Sequence, residues 1–214
     1  MAERQGRAAY APRMAPEQRR EQLLDAVLRV IVRQGVHKVS IDTVAKEAGV
    51  SRPVVYGLFD DSDQLLLACL DREEAGAVAQ MATVVQLSPR DDDDPARALA
   101  DSLGRFLDVV QAAPDRWRAA FQLADSSTPA FRRRLERGRQ VFTEALAAYV
   151  RASVTSGRLA STDVELTARL IHALFWEAGR LVLAEPDAFP PQRIRDYVAR
   201  LLPALPTFRS PSEA

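Results

Sequence analysis

The stretch Ser40–Phe59, SIDTVAKEAGVSRPVVYGLF, constrains the fold more than any other part of the chain. Ile41, Val44, Ala45 and Ala48 recur at helical spacing, which predicts a short helix with one apolar face. Ser40 stands where an N-cap belongs, its hydroxyl able to accept the free amides of the first turn. Gly49 follows the last periodic residue, the expected place for a left-handed C-terminal position. Ser51 then caps a second helix, and Pro53 is tolerated there because first-turn amides have no intrahelical partner. Val50, Val55, Leu58 and Phe59 are expected inside, which leaves Arg52, Pro53, Val54, Tyr56 and Gly57 facing out.

Two short helices around one tight turn make a helix-turn-helix, whose second helix enters a DNA major groove while the first crosses the backbone. The order Ser40, Val44-Ala45, Ala48-Gly49-Val50-Ser51, Tyr56 and Phe59 resembles the DNA-binding signature of the TetR family of bacterial transcriptional regulators. The resemblance runs upstream over the preceding amphipathic stretch and downstream to Leu65-Leu66. A helical hairpin that only packs is the competing reading, and it gives exposed Arg52 and Tyr56 no purpose.

An apolar share of 47% suffices for a core, and almost no stretch alternates in the strand manner, so the chain reads as all-α. Overall charge is nil, with 29 basic and 29 acidic residues, but its distribution is uneven. Residues 1–59 carry ten Lys or Arg against six acids, net +4; residues 60–100 carry three against ten, net −7. A protein that docks one end on phosphates needs only that end positive. Cys69, the single cysteine, lies in an apolar run and reads as a small buried hydrophobe. No window of ~18 residues is free of charge, so no membrane span is expected. Nor does the start have the apolar core of a signal peptide. With the resemblance, a cytoplasmic location follows.

The expected order is a basic arm over residues 1–15, bearing Arg4, Arg7 and Arg13, then a DNA-binding domain over 16–60. A larger helical domain over 61–205 and a tail over 206–214 follow. The arm reads equally as a loose tail or as a source of extra phosphate or minor-groove contacts. Pro16 opens a helix to about Gln34, striped by Leu24, Leu28 and Ile31 with Leu23, Val27 and Val30, and Gly35 ends it. A fourth helix begins near Asp61 or Ser62. Four carboxylates, Asp91–Asp94, read as solvated loop, since hard-metal loops space their ligands, and Asp94-Pro95 reads as a helix start.

Helices are then expected over Ala96–Ala113, Pro114–Ala124, Pro129–Ser153 and Asp163–Leu183, the last capped by Ser161 or Thr162. The basic run RRRLERGR reads as a solvated face with pairs such as Arg132–Glu136. The Asp163–Leu183 helix is apolar on nearly every side and so needs cover on nearly every side, with Ala178 and Gly179 allowing close approach. Pro190 and Pro191 open a final amphipathic helix. Pairing of these two helices with their copies in a second chain would supply the cover, through Leu170, Leu174, Ala178, Leu181, Ile194, Tyr197, Val198 and Leu201. The resemblance implies the same pair of helices.

The chemistry of the residues suggests their roles. Ser40 and Tyr56 suit phosphate contacts, as do Thr43 and Lys46, with Arg19 or Arg20 reaching from the first helix. Arg52 suits base reading, because guanidinium pairs bidentately with guanine O6 and N7, and Val54 suits a thymine methyl. Ser51, Pro53 and Gly57 complete the DNA-facing set. A homodimer would place two such helices in successive grooves of double-stranded DNA, on an inverted-repeat operator. The chain departs from the family after Phe59, where many members carry a phosphate-gripping lysine and this one has Asp60-Asp61-Ser62.

The resemblance also implies a small, apolar effector held in the C-terminal domain that releases a repressor from DNA. Phe106, Trp117, Phe121, Phe142 and Trp176 are candidate walls, with Gln122, Arg169 and His172 as polar points, and plain core packing is an equal reading for each aromatic. No cofactor or metal is expected, and the two histidines, His37 and His172, fall in different predicted domains. The chain shows neither a nucleophile elbow nor a glycine-rich phosphate loop. Two other readings stay open: a DNA-binding dimer of low sequence specificity without an effector, and an all-helical enzyme.

Overall fold

The structure, a computed structural model, describes residues 14–84, 94–124 and 129–208. The arm arginines Arg4, Arg7 and Arg13, the run Asp91–Asp93 and the side chain of Arg132 lie outside the described residues. Among the described residues the regular structure is all helical. In chain order the α-helices are α1 (Pro16–Gln34), α2 (Ile41–Ala48), α3 (Arg52–Tyr56), α4 (Ser62–Val84), α5 (Pro95–Ala112), α6 (Pro114–Ala124), α7 (Pro129–Thr155), α8 (Val164–Ala184) and α9 (Pro191–Ala204). The chain divides into two compact units, one through Cys69 and one from Leu70, so the boundary falls within α4 rather than after Asp60.

In the first unit α1 buries Leu23, Leu24, Ala26, Val27, Val30 and Ile31, so the buried stripe takes in Ala26 while Leu28 is only half-buried. Val44, Ala45, Val55, Phe59 and Leu65 complete its core. Polar ties join α1 to α2: Gln22 Nε2 donates to the Ala48 carbonyl at 3.0 Å, and Glu47 Oε1 accepts from Arg29 Nε at 2.7 Å and Arg33 Nη1 at 3.3 Å. Cys69 is fully buried, its thiol 3.5 Å from the Leu24 carbonyl oxygen, as a small hydrophobe would be. Asp61 Oδ1 accepts the Gln64 amide at 2.7 Å, so this acid caps the start of α4.

In the second unit α8 packs on α7 and α5, α5 also carries α9, and α6 lies against α7 and α8. Asp94 Oδ1 accepts the Ala96 amide at 2.9 Å, with Pro95 in the first turn, as expected. The cap of α8 is Asp163, not Ser161 or Thr162: Asp163 Oδ1 accepts the Leu166 amide at 3.0 Å. Two buttresses fix α6 to the later part of α4. Glu73, 8% exposed, holds Arg72 through one oxygen at 2.7 Å and Arg116 through the other at 2.8 Å. Trp117 Nε1 donates to Gln80 Oε1 at 3.1 Å.

The eight residues expected to pair two chains divide in two. Leu170 and Tyr197 are 62% and 59% exposed, and Leu174, Leu181 and Leu201 are half-buried. Ala178, Ile194 and Val198 are buried in the chain's own core, so those three expectations are corrected. The close neighbours of Gly179 are likewise internal: a Cβ there would meet the Phe106 and Phe121 rings at 2.9 Å. The helical repeat misleads here, because α8 is apolar both where it packs and where it is bare. The tail expected from residue 206 also begins with structure, a 3-10 turn over Pro206–Phe208 that buries Phe208.

Candidate functional site

The surface formed by α2 and α3 rests on local chemistry. Ser40 Oγ accepts the Thr43 amide at 3.1 Å, and the Ser40 amide donates to Thr43 Oγ1 at 2.9 Å. This is a capping box in which threonine takes the place usually held by Glu or Gln. The Thr43 hydroxyl also donates to the Lys38 carbonyl at 2.7 Å, which fixes the loop entering α2. Gly49 adopts φ 67° and ψ 33°, the left-handed conformation that a Cβ would disfavour, and its amide closes α2 on Ala45 and Lys46.

The turn delivers α3 with Val55 and Phe59 buried beneath it and Arg52, Pro53, Val54, Tyr56 and Gly57 exposed above. Val54 is 37% and Tyr56 56% exposed, an apolar and a phenolic side chain that the unit's own packing leaves bare. Ser51 is exposed and makes no side-chain cap to α3, so its hydroxyl is not engaged by the helix. Lys46 and Asp42 are exposed on α2, while Ser40 and Thr43 are half-buried. Arg20 stacks its guanidinium 4.8 Å from the centre of the Phe59 ring, and Arg19 donates to Gln22 Oε1 at 2.5 Å. Sequence reasoning passed over Asp42, which forms an ion pair with Arg52. Its presence near an arginine was visible, but the ten-residue spacing across a turn is not a helical one.

The rings of the second unit come from four helices and meet in one interior cluster. Phe106 stands edge-on to Trp117 at 5.2 Å and lies 5.8 Å from Phe175. Phe121 meets Trp176 edge-on at 4.7 Å and Trp117 at 6.1 Å. Phe142 lies 5.5 Å from Phe175 and 5.7 Å from His172, and His172 stacks on Trp176 at 6.0 Å. The five aromatic residues expected as walls are therefore brought together, and Phe175, at the centre, was missed. Burial, and then the charge of Arg139, push the His172 pKa down to about 4, so its imidazole is neutral near pH 7. The Arg139 guanidinium sits 4.9 Å over the Trp176 ring. Gln122 and Arg169 are exposed, so of the three polar points only His172 is buried among the rings.

Among the described residues no cluster of three or more His, Cys, Asp or Glu is placed to hold a metal ion. No helix among them is long and apolar enough to cross a membrane.

Comparison with known proteins agrees with this geometry. Residues 23–69 match the family described as bacterial regulatory proteins, tetR family. Residues 115–203 match the C-terminal domain described for AefR-like transcriptional repressors. The chain is 32% identical over 110 residues to the HTH-type transcriptional activator FasR of Mycolicibacterium smegmatis, a match covering 51% of this chain and 48% of that protein. The match thus spans about half the length of that relative. It is 31% identical over 138 residues to the HTH-type transcriptional regulator BetI of Yersinia pestis, covering 62% of this chain and 68% of that one. A TetR-like transcriptional regulator from Rhodococcus sp. RHA1 has the same fold, with TM-score 0.71 and 24% identity over 89% of this chain and 96% of that chain. With the helix-turn-helix and the C-terminal helical unit both matched, the chain belongs to the TetR family of bacterial transcriptional regulators.

Proposed function

We propose that the protein is a cytoplasmic, homodimeric transcriptional repressor that binds an inverted-repeat operator and leaves it when a small effector binds. The observation that carries this reading is α3, which exposes Arg52, Val54 and Tyr56 above a buried Val55 and Phe59. A polar, arginine-bearing helix edge fixed on a packed support is what reading base edges in a major groove requires. Ser40, Thr43 and Lys46 flank it, and with Tyr56 they are assigned the phosphates.

Homodimerisation is supported by α8, where Leu166 and Leu170 are 54% and 62% exposed along one edge, and by Tyr197 on α9. A second copy covering these side chains removes from water an apolar face the chain leaves bare. The effector is assigned to the ring cluster, where flat apolar walls surround one neutral imidazole that donates or accepts a hydrogen bond. An uncharged or weakly polar molecule fits those walls better than a dense charge.

The reading is tested by titrating labelled duplexes from the protein's own upstream region against random duplex. Discrimination of ~10³ or more is expected. Equal affinity for both supports instead the low-specificity DNA-binding dimer and overturns regulation by sequence. Tyr56→Phe is expected to weaken every sequence alike, and Leu170→Glu to give monomers by light scattering. A reporter gene placed behind the bound duplex is expected to fall silent; a rise in its expression would reverse the sign to activation.

A further inference from the structure

The arginine assigned to the base does not stand alone. Arg52 is the first residue of α3, and its Nε donates to Oδ1 of Asp42 in the first turn of α2. The two side chains are 62% and 58% exposed, so this is a pair formed in water on the DNA-facing edge. An exposed pair of this kind adds little to fold stability. Its value lies in geometry. A guanidinium has five donors in a planar fork, and Asp42 engages the Nε side. By the geometry of the planar fork, a partner on the Nε side leaves the end of the fork, one N–H on each of Nη1 and Nη2, for guanine O6 and N7 side by side.

The geometry points to Asp42 as a positioning residue for specificity: it holds Arg52 in the plane and rotamer that read guanine, and it penalises DNA that offers no guanine there. The first half follows from lost freedom, since an arginine already fixed surrenders little more on binding. The second half follows from charge. On a wrong sequence Arg52 gains most by swinging to a phosphate, and that leaves the Asp42 carboxylate unpaired beside a polyanion. On a matching site the ion pair survives and the carboxylate stays compensated. Lys46, one turn further along α2, is exposed and is assigned to the backbone.

This inference rests on the assignment of Arg52 to a base, and the experiment separates the two. Wild type, Asp42→Asn, Arg52→Ala and the double variant are each equilibrated with a duplex pool randomised across the half-site. Bound and free fractions are sequenced, and affinity for random duplex is measured against salt. Wild type is expected to favour guanine at one position per half-site, and Arg52→Ala to erase that preference. Asp42→Asn is expected to reduce the same preference about five- to tenfold, part of what a bidentate contact supplies. It should also bind random duplex more tightly, with a steeper salt dependence, because one more cation is free to meet phosphate. Added to Arg52→Ala, it should change the base preference no further. Asp42→Glu should restore much of the guanine preference, which a fold defect would not allow. If Arg52→Ala loses the guanine preference and Asp42→Asn keeps it, Asp42 is only a surface acid and the inference fails alone. If Arg52→Ala leaves every preference in place, the base assignment fails and this inference with it.

Discussion

The exposed edge of the first unit and the ring cluster of the second are built over different distances. In the unit through Cys69, Ser40 bonds to Thr43, Gly49 turns the chain between neighbouring helices, and the exposed edge lies a few residues from its supports. In the unit from Leu70, Phe106, Trp117, Phe142 and Phe175 arrive from α5, α6, α7 and α8 to form one interior. A surface that must present fixed donors to DNA benefits from short, stiff connections. The ring interior, in contrast, is walled by side chains from four helices rather than from one segment. The contrast teaches that an exposed edge and a closed interior are built by different means in one chain.

The sharpest way to break this contrast is to empty one core and watch the other. Phe59 is 2% exposed, and Phe59→Ala is expected to cost ~3–5 kcal/mol. Amide-exchange protection should fall over residues 16–69 and persist in α7 and α8; equal loss in both would show that the units do not stabilise separately. Next comes Gly179, whose added Cβ would press on Phe106 and Phe121. Gly179→Ala is expected to cost ~1–3 kcal/mol in thermal melting. A neutral or stabilising result would mean the rings have slack and the cluster already contains free volume.

Acid should separate the units further. The His172 pKa falls from the ordinary 6.5 to about 4 in the folded chain, so below 6.5 the unfolded chain takes up a proton that the folded one refuses. Its contribution is fully present above pH 6.5 and is lost as pH falls toward 4. At pH 5 the loss is expected to be about 1–2 kcal/mol, the lower end allowing for solvent that screens part of the ring. His172→Phe should remove that pH dependence from the melting of α7 and α8; an unchanged profile would place the acid sensitivity elsewhere. The smallest effect is at the capping box, where Ser40→Ala should cost ~1 kcal/mol. That loss should be confined to the first unit and accompanied by weaker DNA binding.

The same contrast explains what could be read in advance. Ser40, Asp61 and Asp94 accept amides two or three residues on, and the Gly49 amide donates to carbonyls of the turn before it, so sequence spacing exposed them. The ring cluster was legible as a set of aromatic residues but not as a contact map, because residues 106 and 175 meet only when α5 and α8 pack. Phe175 was therefore passed over although it is 2% exposed. Ala178 and Val198 show the converse error: α8 and α9 are apolar on faces that pack inward and on faces that do not, and periodicity alone does not tell one from the other. Asp42 was missed because its partner lies across a turn, where no helical period applies.

Glu73 divides its two oxygens between Arg72, its neighbour on α4, and Arg116 on α6. A buried carboxylate with a single partner binds like a lock, since withdrawing that partner strands a charge in a medium that screens it poorly. Here Arg72 travels with Glu73 whatever α6 does, and the negative charge is never left naked. Parting α4 from α6 would break the Arg116 contact and the Trp117–Gln80 hydrogen bond, yet it would leave the Glu73 carboxylate paired with Arg72.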